Sequence, residues 1–302
     1  MKKALLALTI AAISGTAMAQ LPDFLGKGEY TVRTDISKQT LKNADLKEKH
    51  KVQKNIGFRA DMPFDDIHHG MRFEVSHSRD KKDMYVVTES TTKPFGKDVK
   101  EKRTDVYAGY TYTQPISEAT KLRAGLGLGY EKYKDAVANE KGTVSTEREA
   151  FYTKAHADLT SDLGGWYLNP WAEVKVDLNE KGTVSTEREA FYTKAHADLT
   201  SDLGGWYLNP WAEVKVDLDA KLKHNATVAG ASADINAKTR GWGVGVGANI
   251  GKQITDTVGI EAGPFYKHRH FKASGSFVLD GGNIRVDPTK INEYGVRVGV
   301  KF

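Results

Sequence analysis

Histidine offers the widest chemistry in this sequence, and it occurs in two close pairs. His68 and His69 are adjacent, and His268 and His270 are separated by one residue. A metal site needs several ligands that converge on one point, with partners behind them that orient each ring. Two separate pairs do not meet that need, and no neighbouring motif supplies a nucleophile or an activated water. We expect no catalytic residues, no metal, no cofactor and no enzyme activity.

Glycine and cysteine narrow the chemistry further. The chain has no cysteine, which excludes thiol nucleophiles, redox motifs and Cys-based metal sites. Glycines at 125, 127 and 129, and at 243, 245 and 247, have the spacing G-x-G-x-G. A dinucleotide loop requires G-x-G-x-x-G between a strand and a helix, so this spacing does not indicate one. Small residues at alternate positions instead leave space on one face of a strand.

Charged side chains occupy alternate positions in many segments, which would place them on one face of a β-strand. Such side chains can form rings that select solutes in a pore, and they can also pair with each other and close a narrow lumen. Their signs favour neither cations nor anions as solutes. The candidates for lining a lumen are Arg33, Arg59, Arg72, Arg123, Lys154, Lys175, Lys194, Lys215, Arg297, Glu74, Asp105, Glu173 and Glu213.

The segments that carry these residues alternate between apolar and polar positions. From Tyr294 to Phe302, apolar residues take every even position, while Gly, Arg, Gly and Lys take the odd ones. Runs of about 9–13 residues have the length of a tilted membrane strand. Twelve strands are predicted near 28–38, 51–62, 71–80, 103–114, 121–133, 147–160, 165–178, 187–200, 205–218, 237–251, 257–272 and 290–302.

The predicted connections alternate in length. Short ones lie at 63–70, 115–120, 161–164, 201–204 and 252–256, and longer polar ones at 39–50, 81–102, 134–146, 179–186, 219–236 and 273–289. This alternation is typical of a barrel with short periplasmic turns and long extracellular loops. The predicted fold class is all-β, as a transmembrane antiparallel up-and-down β-barrel of twelve strands.

The first residues predict export. Lys2 and Lys3 precede an apolar stretch from Ala4 to Ile13, and Ala17-Met18-Ala19 has the form of a cleavage site. This is the layout of a signal peptide, which we assign to residues 1–19. Residues 20–302 form one predicted barrel domain. The mean hydropathy of −0.51 agrees with a barrel, because only alternate residues of each strand meet lipid. The predicted location is the outer membrane.

One hairpin is duplicated. Residues 139–178 and 179–218 have the same 40-residue sequence, which contains one loop, two strands and a turn. Inserting a whole hairpin keeps the strand count even and both termini on one side, so twelve strands would be ten plus one duplicated hairpin. The barrel widens, because diameter grows with strand number. Identity without divergence indicates either a recent duplication or an engineered one.

Aromatic residues at the lipid-facing, apolar positions are concentrated at both ends of the predicted strands. Rings at these positions are typical of the two girdles of a membrane barrel, although the core of a soluble β-sandwich can also hold them. Expected partners are membrane lipid and lipopolysaccharide, and no nucleic acid is expected. The girdle candidates are Tyr112, Phe151, Trp166, Phe191, Trp206, Trp242, Tyr294 and Phe302.

The signal peptide, the strand–turn alternation and the ending YGVRVGVKF together resemble small Gram-negative barrel porins. The ending is similar to that of the opacity-porin family, whose barrels have eight strands. The charged residues at the positions that face the lumen, together with the count of twelve strands, resemble the pattern of the oligogalacturonate-specific porin family. A final strand ending in Phe resembles the signal read by the barrel-assembly machinery, which this resemblance implies as a partner.

The resemblance implies a protein that carries solutes or adheres to host surfaces. The expected function is an outer-membrane porin that lets small hydrophilic solutes diffuse through its lumen. The alternative is a structural or adhesive barrel, whose lumen is closed by salt bridges and which acts through its extracellular loops.

Overall fold

The computed structural model of the protein describes residues 28–42, 46–50, 52–64, 68–87, 92–139, 142–164, 166–182, 185–228, 231–255, 257–279, 282–285 and 289–302. The predicted signal peptide lies outside these residues. In chain order the strands are β1 (Glu29–Lys42), β2 (Leu46–His50), β3 (Gln53–Pro63), β4 (His69–Val87), β5 (Thr92–Pro115), β6 (Thr120–Asn139), β7 (Gly142–Asp162), β8 (Trp166–Gly182), β9 (Ser185–Asp202), β10 (Trp206–Val228), β11 (Ala231–Gln253), β12 (Gly259–Leu279), β13 (Gly282–Arg285) and β14 (Thr289–Lys301).

The strands form one closed antiparallel sheet. From β3 to β12, each strand pairs with the next one in sequence. The ring closes because β12 pairs with β14, β14 pairs with β1, and β1 pairs with β3. The short strand β2 pairs with β1 and β4, as β3 does, and β13 pairs with β12, as β14 does. These two pieces extend β3 and β14, so the barrel wall has twelve strands. The predicted up-and-down barrel is confirmed.

The predicted long loops are wrong, because the strands continue through most of them. The sequence predicts a loop over 219–236, yet β10 and β11 stay paired from Trp206 opposite Lys252 to Val228 opposite Ala231. The strand β5 has 24 residues, about twice what a membrane crossing needs. Beyond the membrane both faces of a strand meet water, so polar residues occupy the inward and the outward positions alike. The alternation that marks a strand is then lost, while the backbone pairing persists.

The two faces of the sheet differ in polarity. Among the described residues, many apolar side chains are exposed on the outer face of the sheet, and many of the buried side chains are polar. Exposed apolar side chains include Ile36, Ile56, Leu126, Leu128, Val174, Val214, Val246, Val296 and Val298. Buried polar side chains include Asp61, Arg72, Lys154, Lys175, Glu213, Glu261 and Arg297. This polarity is the reverse of a water-soluble core. No helix in the described residues could cross a membrane.

The duplicated hairpins lie side by side in the wall. The first copy forms β7 and β8 and the second forms β9 and β10, with equivalent pairing inside each: Asp158 lies opposite Trp171, and Asp198 opposite Trp211. The strand β8 then pairs with β9, which we call the repeat seam. In the repeat seam Trp171 lies opposite His196, so the two copies meet in a new register.

Phe302 closes the barrel between its first and last strands. The backbones of Phe302 and Tyr30 exchange two hydrogen bonds of 2.8 and 3.0 Å, and the two rings stack with their centroids 5.8 Å apart. Deletion of Phe302 removes both backbone bonds at the end of the closing ladder. We expect the deleted protein to lose most of its assembly, measured as the heat-modifiable band in isolated membranes. The variant Phe302→Tyr, which keeps the ring, is the control. Full assembly of the deleted chain would contradict this prediction.

Candidate functional site in the barrel lumen

Contacts between strands that are not neighbours show which side chains point into the barrel. Arg72 on β4 donates to Asp158 on β7, although β5 and β6 lie between these strands in the wall. A side chain can bridge four successive strands only across the inside of a closed sheet. The lumen is therefore crossed by ion pairs, and these pairs are the candidate functional site.

The first ion cluster centres on Arg72, whose side chain is 3% exposed. Its Nε lies 2.6 Å from Asp61 Oδ1, and its Nη2 donates to Asp158. Arg59 Nε lies 2.7 Å from Asp61 Oδ2, and its Nη2 is 3.8 Å from Asp158 Oδ2. Arg123 approaches Asp61 to 3.5 Å. Three cations thus surround two acids, which joins β3, β4, β6 and β7 across one side of the lumen.

The second ion cluster is built on two lysines of the first hairpin copy. Lys154 pairs with Glu74 of β4, and Lys175 Nζ lies 2.8 Å from Glu131 of β6. The two lysines lie directly opposite each other on β7 and β8. Like charges in that position repel, so each lysine needs the acid that it reaches. Nζ of Lys154 also lies 4.0 Å from the centroid of a tyrosine ring, that of Tyr107.

A third ion cluster lies on the opposite side of the lumen. Glu213 on β10 accepts from Lys194 at 3.3 Å and from Lys267, on β12, at 3.2 Å. Arg297 pairs with Asp35 at 2.9 Å, and its guanidinium carbon lies 4.5 Å from a ring centroid of Trp211. The contact from β14 to β10 passes over β11 and β12, so this cluster also crosses the interior.

Of the remaining lumen candidates, two border the second ion cluster: Asp105 lies 3.8 Å from Lys175 Nζ, and Glu173 lies 3.9 Å from Lys154 Nζ. Lys215 lies 2.9 Å from Asp217, Glu173 accepts from the Tyr192 hydroxyl at 3.2 Å, and Asp105 accepts from the Tyr152 hydroxyl at 2.7 Å. Arg33 is exposed and lines the cavity described below, and within the described residues its side chain has no hydrogen bond or ion pair. Twelve of the thirteen candidates thus have a hydrogen bond or ion pair among the described residues, whereas Arg33 lies near the charges of Asp35 and Glu261 without a direct bond to either.

Large inward side chains that we did not predict lie against the inward glycines. A Cβ atom at Gly129 would clash with the ring of Tyr152 on β7, and one at Gly247 would clash with the indole of Trp211 on β10. The glycines therefore let these rings lie flat on the neighbouring strand instead of leaving the lumen open. The sequence contains a signal for this packing, because each glycine run includes one glycine that faces a large inward ring on a neighbouring strand, Tyr152 for one run and Trp211 for the other.

A cavity of about 980 Å³ remains inside the barrel, beside the first ion cluster. Its lining begins at the end of the barrel that carries the short turns, with Glu29, Lys121 and Lys301, and extends up to Glu74 and Asp105. The lining holds acids and bases in similar numbers, which leaves both cationic and anionic solutes as possible occupants. It also includes residues of the repeat seam.

The girdle candidates take the following positions. The exposed ones are Tyr112, Phe151, Trp166, Trp206, Trp242 and Tyr294. Phe302 is half-buried against Tyr30, and the side chain of Phe191 lies outside the described part of the chain. The histidines do not converge: His268 bonds Asn292 and His68 bonds the carbonyl of Thr113, and the described residues hold no group of three metal-ligating side chains.

Comparisons with known proteins identify the family and the fold. A family model described as outer membrane protein OpcA matches residues 24–181 and residues 178–302. The two matches meet at the junction of the repeats, so the family pattern is interrupted there. No curated protein matches the sequence.

Two solved structures share the fold. The transport unit of the autotransporter AIDA-I from Escherichia coli has 11% identity and a TM-score of 0.56, over 93% of this chain and 95% of that one. The translocator domain of the autotransporter NalP from Neisseria meningitidis has 11% identity and a TM-score of 0.52, over 98% and 96%.

Proposed function

Because the chain belongs to the family of outer membrane protein OpcA and is a barrel of the cell outer membrane, we propose that it passes small hydrophilic solutes through its lumen. The observation that carries this proposal is the cavity of about 980 Å³ inside the barrel. Its walls are charged, and it extends along the first ion cluster from the short-turn end to Glu74 and Asp105.

The ion clusters set the size of the passage. The bridges Arg72–Asp158 and Lys154–Glu74 span β4 to β7, and Arg297 reaches Trp211 on the other side. These bridges occupy part of the cross-section that twelve strands enclose. The space left beside them suits ions and small polar solutes, and walls with both signs of charge give weak selectivity.

Single-channel recording in a planar bilayer tests this function. We expect small, stepwise currents from the purified protein. A double variant, Arg72→Ala with Asp158→Ala, removes both sides of one bridge and should give larger steps. Asp61 and Arg59 each lose one partner but keep their pair with each other. The control is Lys215→Ala with Asp217→Ala, which removes a pair on the single strand β10. If neither the parent nor the double variant conducts, the lumen is closed and the proposed function is wrong.

A second candidate function rests on the length of the strands. A membrane crossing needs about 9–11 tilted residues, whereas β5, β10 and β11 have 24, 23 and 23. The barrel wall therefore continues well beyond the membrane at the end opposite the short turns. An extended wall of this kind offers a surface outside the cell through which the barrel would act as a structural or adhesive protein. This second function would be favoured if the purified protein gave no current while whole cells that carry it attached to a surface.

A further inference from the structure

The repeat seam brings together three rings, each on a different strand. The imidazole of His196 on β9 stacks on the indole of Trp171 on β8, with centroids 5.3 Å apart, and on that of Trp211 on β10, at 5.4 Å. The interplanar angles are 24° and 25°. Trp171 and Trp211 are the same residue in the two copies. A single hairpin holds one such tryptophan, so only the duplication can build this stack.

A carboxylate lies at the edge of the stack. Asp198 Oδ1 accepts hydrogen bonds from the Nδ2 atoms of Asn169 and Asn209, both at 3.0 Å. These asparagines are also copies of one residue, so both repeats contribute to holding the acid. Nε2 of His196 lies 3.6 Å from Asp198 Oδ2. Two amides and one imidazole thus orient this carboxylate.

The same acid has a different setting in the first copy. Asp158 pairs with Arg72 and Arg59, whereas no Lys or Arg side chain in the described part of the chain forms an ion pair with Asp198. The other inward aspartates at positions 35, 61, 105 and 217 each have a basic partner. Asp198 is therefore a charge that two amides and an imidazole orient, and the described residues place no Lys or Arg counter-ion beside it. In the low dielectric of the lumen wall, such a charge attracts a cation.

This carboxylate is open to the cavity. The side chain of Asp198 is 19% exposed, and Asp198 lines the cavity together with Asn169, Trp171 and His196. Trp171 already accepts one ammonium, because Lys194 Nζ lies 4.8 Å from its ring centroid, and Glu213 holds that lysine. An ammonium beside both an indole and a carboxylate gains from cation–π and charge attraction together.

We propose that the repeat seam binds a small organic cation, with its ammonium group between the carboxylate of Asp198 and the indole of Trp171. The site does not depend on whether solutes cross the barrel. An inorganic divalent ion is a poorer fit, since Asn169 and Asn209 turn their amide nitrogens, which do not ligate such ions, towards the carboxylate. A neutral sugar would gain nothing from the unpaired charge.

Titration with tetramethylammonium, followed by tryptophan fluorescence of the protein refolded in detergent, tests the site. We expect saturable binding of tetramethylammonium and none of tert-butanol, a neutral molecule of similar size. The variant Asp198→Asn keeps the shape and removes the charge, and it should weaken binding about tenfold. The control Asp217→Asn removes an acid from the same hairpin at a distance from the stack, and it should leave binding within about twofold.

Three results would overturn the site: no saturable binding, equal binding by Asp198→Asn, or equal loss in both variants. If Asp198→Asn does not refold, the same titration is made on Trp171→Leu, which removes the indole and keeps the charge of Asp198. Retained binding in that variant would also overturn the proposal. The assay reads binding in detergent, so an absence of channel current would leave its result intact, and a failure here would leave the proposed passage untouched.

Discussion

Replacing Lys175 with methionine is expected to lower the free energy of unfolding by about 3 kcal/mol. Lys175 is 6% exposed and lies between three acids, with Nζ 2.8 Å from Glu131, 3.7 Å from Asp177 and 3.8 Å from Asp105. Methionine matches the length of the side chain but leaves these acids with fewer cations. Removing one member of a buried pair costs more than the pair itself contributes, because the remaining charge stays desolvated.

The chain contains its own control for this prediction. Lys215 is the same residue in the second copy, with the same neighbours in sequence, but it is 26% exposed, and among the described residues its one ion pair is with Asp217, at 2.9 Å. The variant Lys215→Met should cost about 1 kcal/mol or less. Both variants can be compared by reversible urea unfolding in detergent micelles. Equal losses would show that the partners across the lumen do not set the energy, and would contradict the assignment of the second ion cluster.

The strands that cross the membrane could be predicted because lipid acts on every second residue. In β14, Val296 and Val298 are exposed on the outer face while Arg297 is buried inside, as the alternation requires. The extensions of the strands could not be predicted in this way. Outside the membrane no solvent contrast separates the two faces, so β10 continues to Val228 through a segment whose sequence has the character of a loop.

The partners inside the lumen could not be predicted from local sequence, and the repeat shows why. Lys154 and Lys194 have identical neighbours within their repeats, yet Lys154 reaches Glu74 three strands away and Lys194 reaches Glu213 on the next strand. Alternation shows that a side chain faces inward, but its partner depends on the shear and radius of the closed barrel. The stack of Trp171 on His196 likewise requires the register of the repeat seam.

Deleting residues 179–218 is expected to give a folded barrel of ten strands that conducts at least about twofold less current. The deletion joins Leu178 to Asp219, which reproduces the Leu218–Asp219 junction of the present chain. The first copy would then pair with β11 through the sequence that β10 uses, so each pairing in the shorter barrel exists in this chain. Only the repeat seam and one hairpin are lost, and closure remains possible because the strand count stays even.

The conductance should fall by more than the change in strand number suggests. Cross-section scales roughly as the square of strand number, so ten strands enclose about 0.7 of the area of twelve. The inward side chains keep their size, and the area they occupy shrinks less than the area enclosed. The deletion also removes His196 and Asp198 from the repeat seam, so binding of tetramethylammonium should disappear in the same protein.

The deleted form should be as stable as the parent to within about 1 kcal/mol, because removing the hairpin takes away its ordering cost together with its contacts. Its refolding can be followed by the heat-modifiable band, and its conductance in a planar bilayer. Lys154 and Asp158 keep Glu74 and Arg72, since these partners lie on β4 and are untouched by the deletion. A deleted chain that cannot close would show that the second hairpin is required for the barrel, and that the first and second ion clusters depend on the twelve-strand radius.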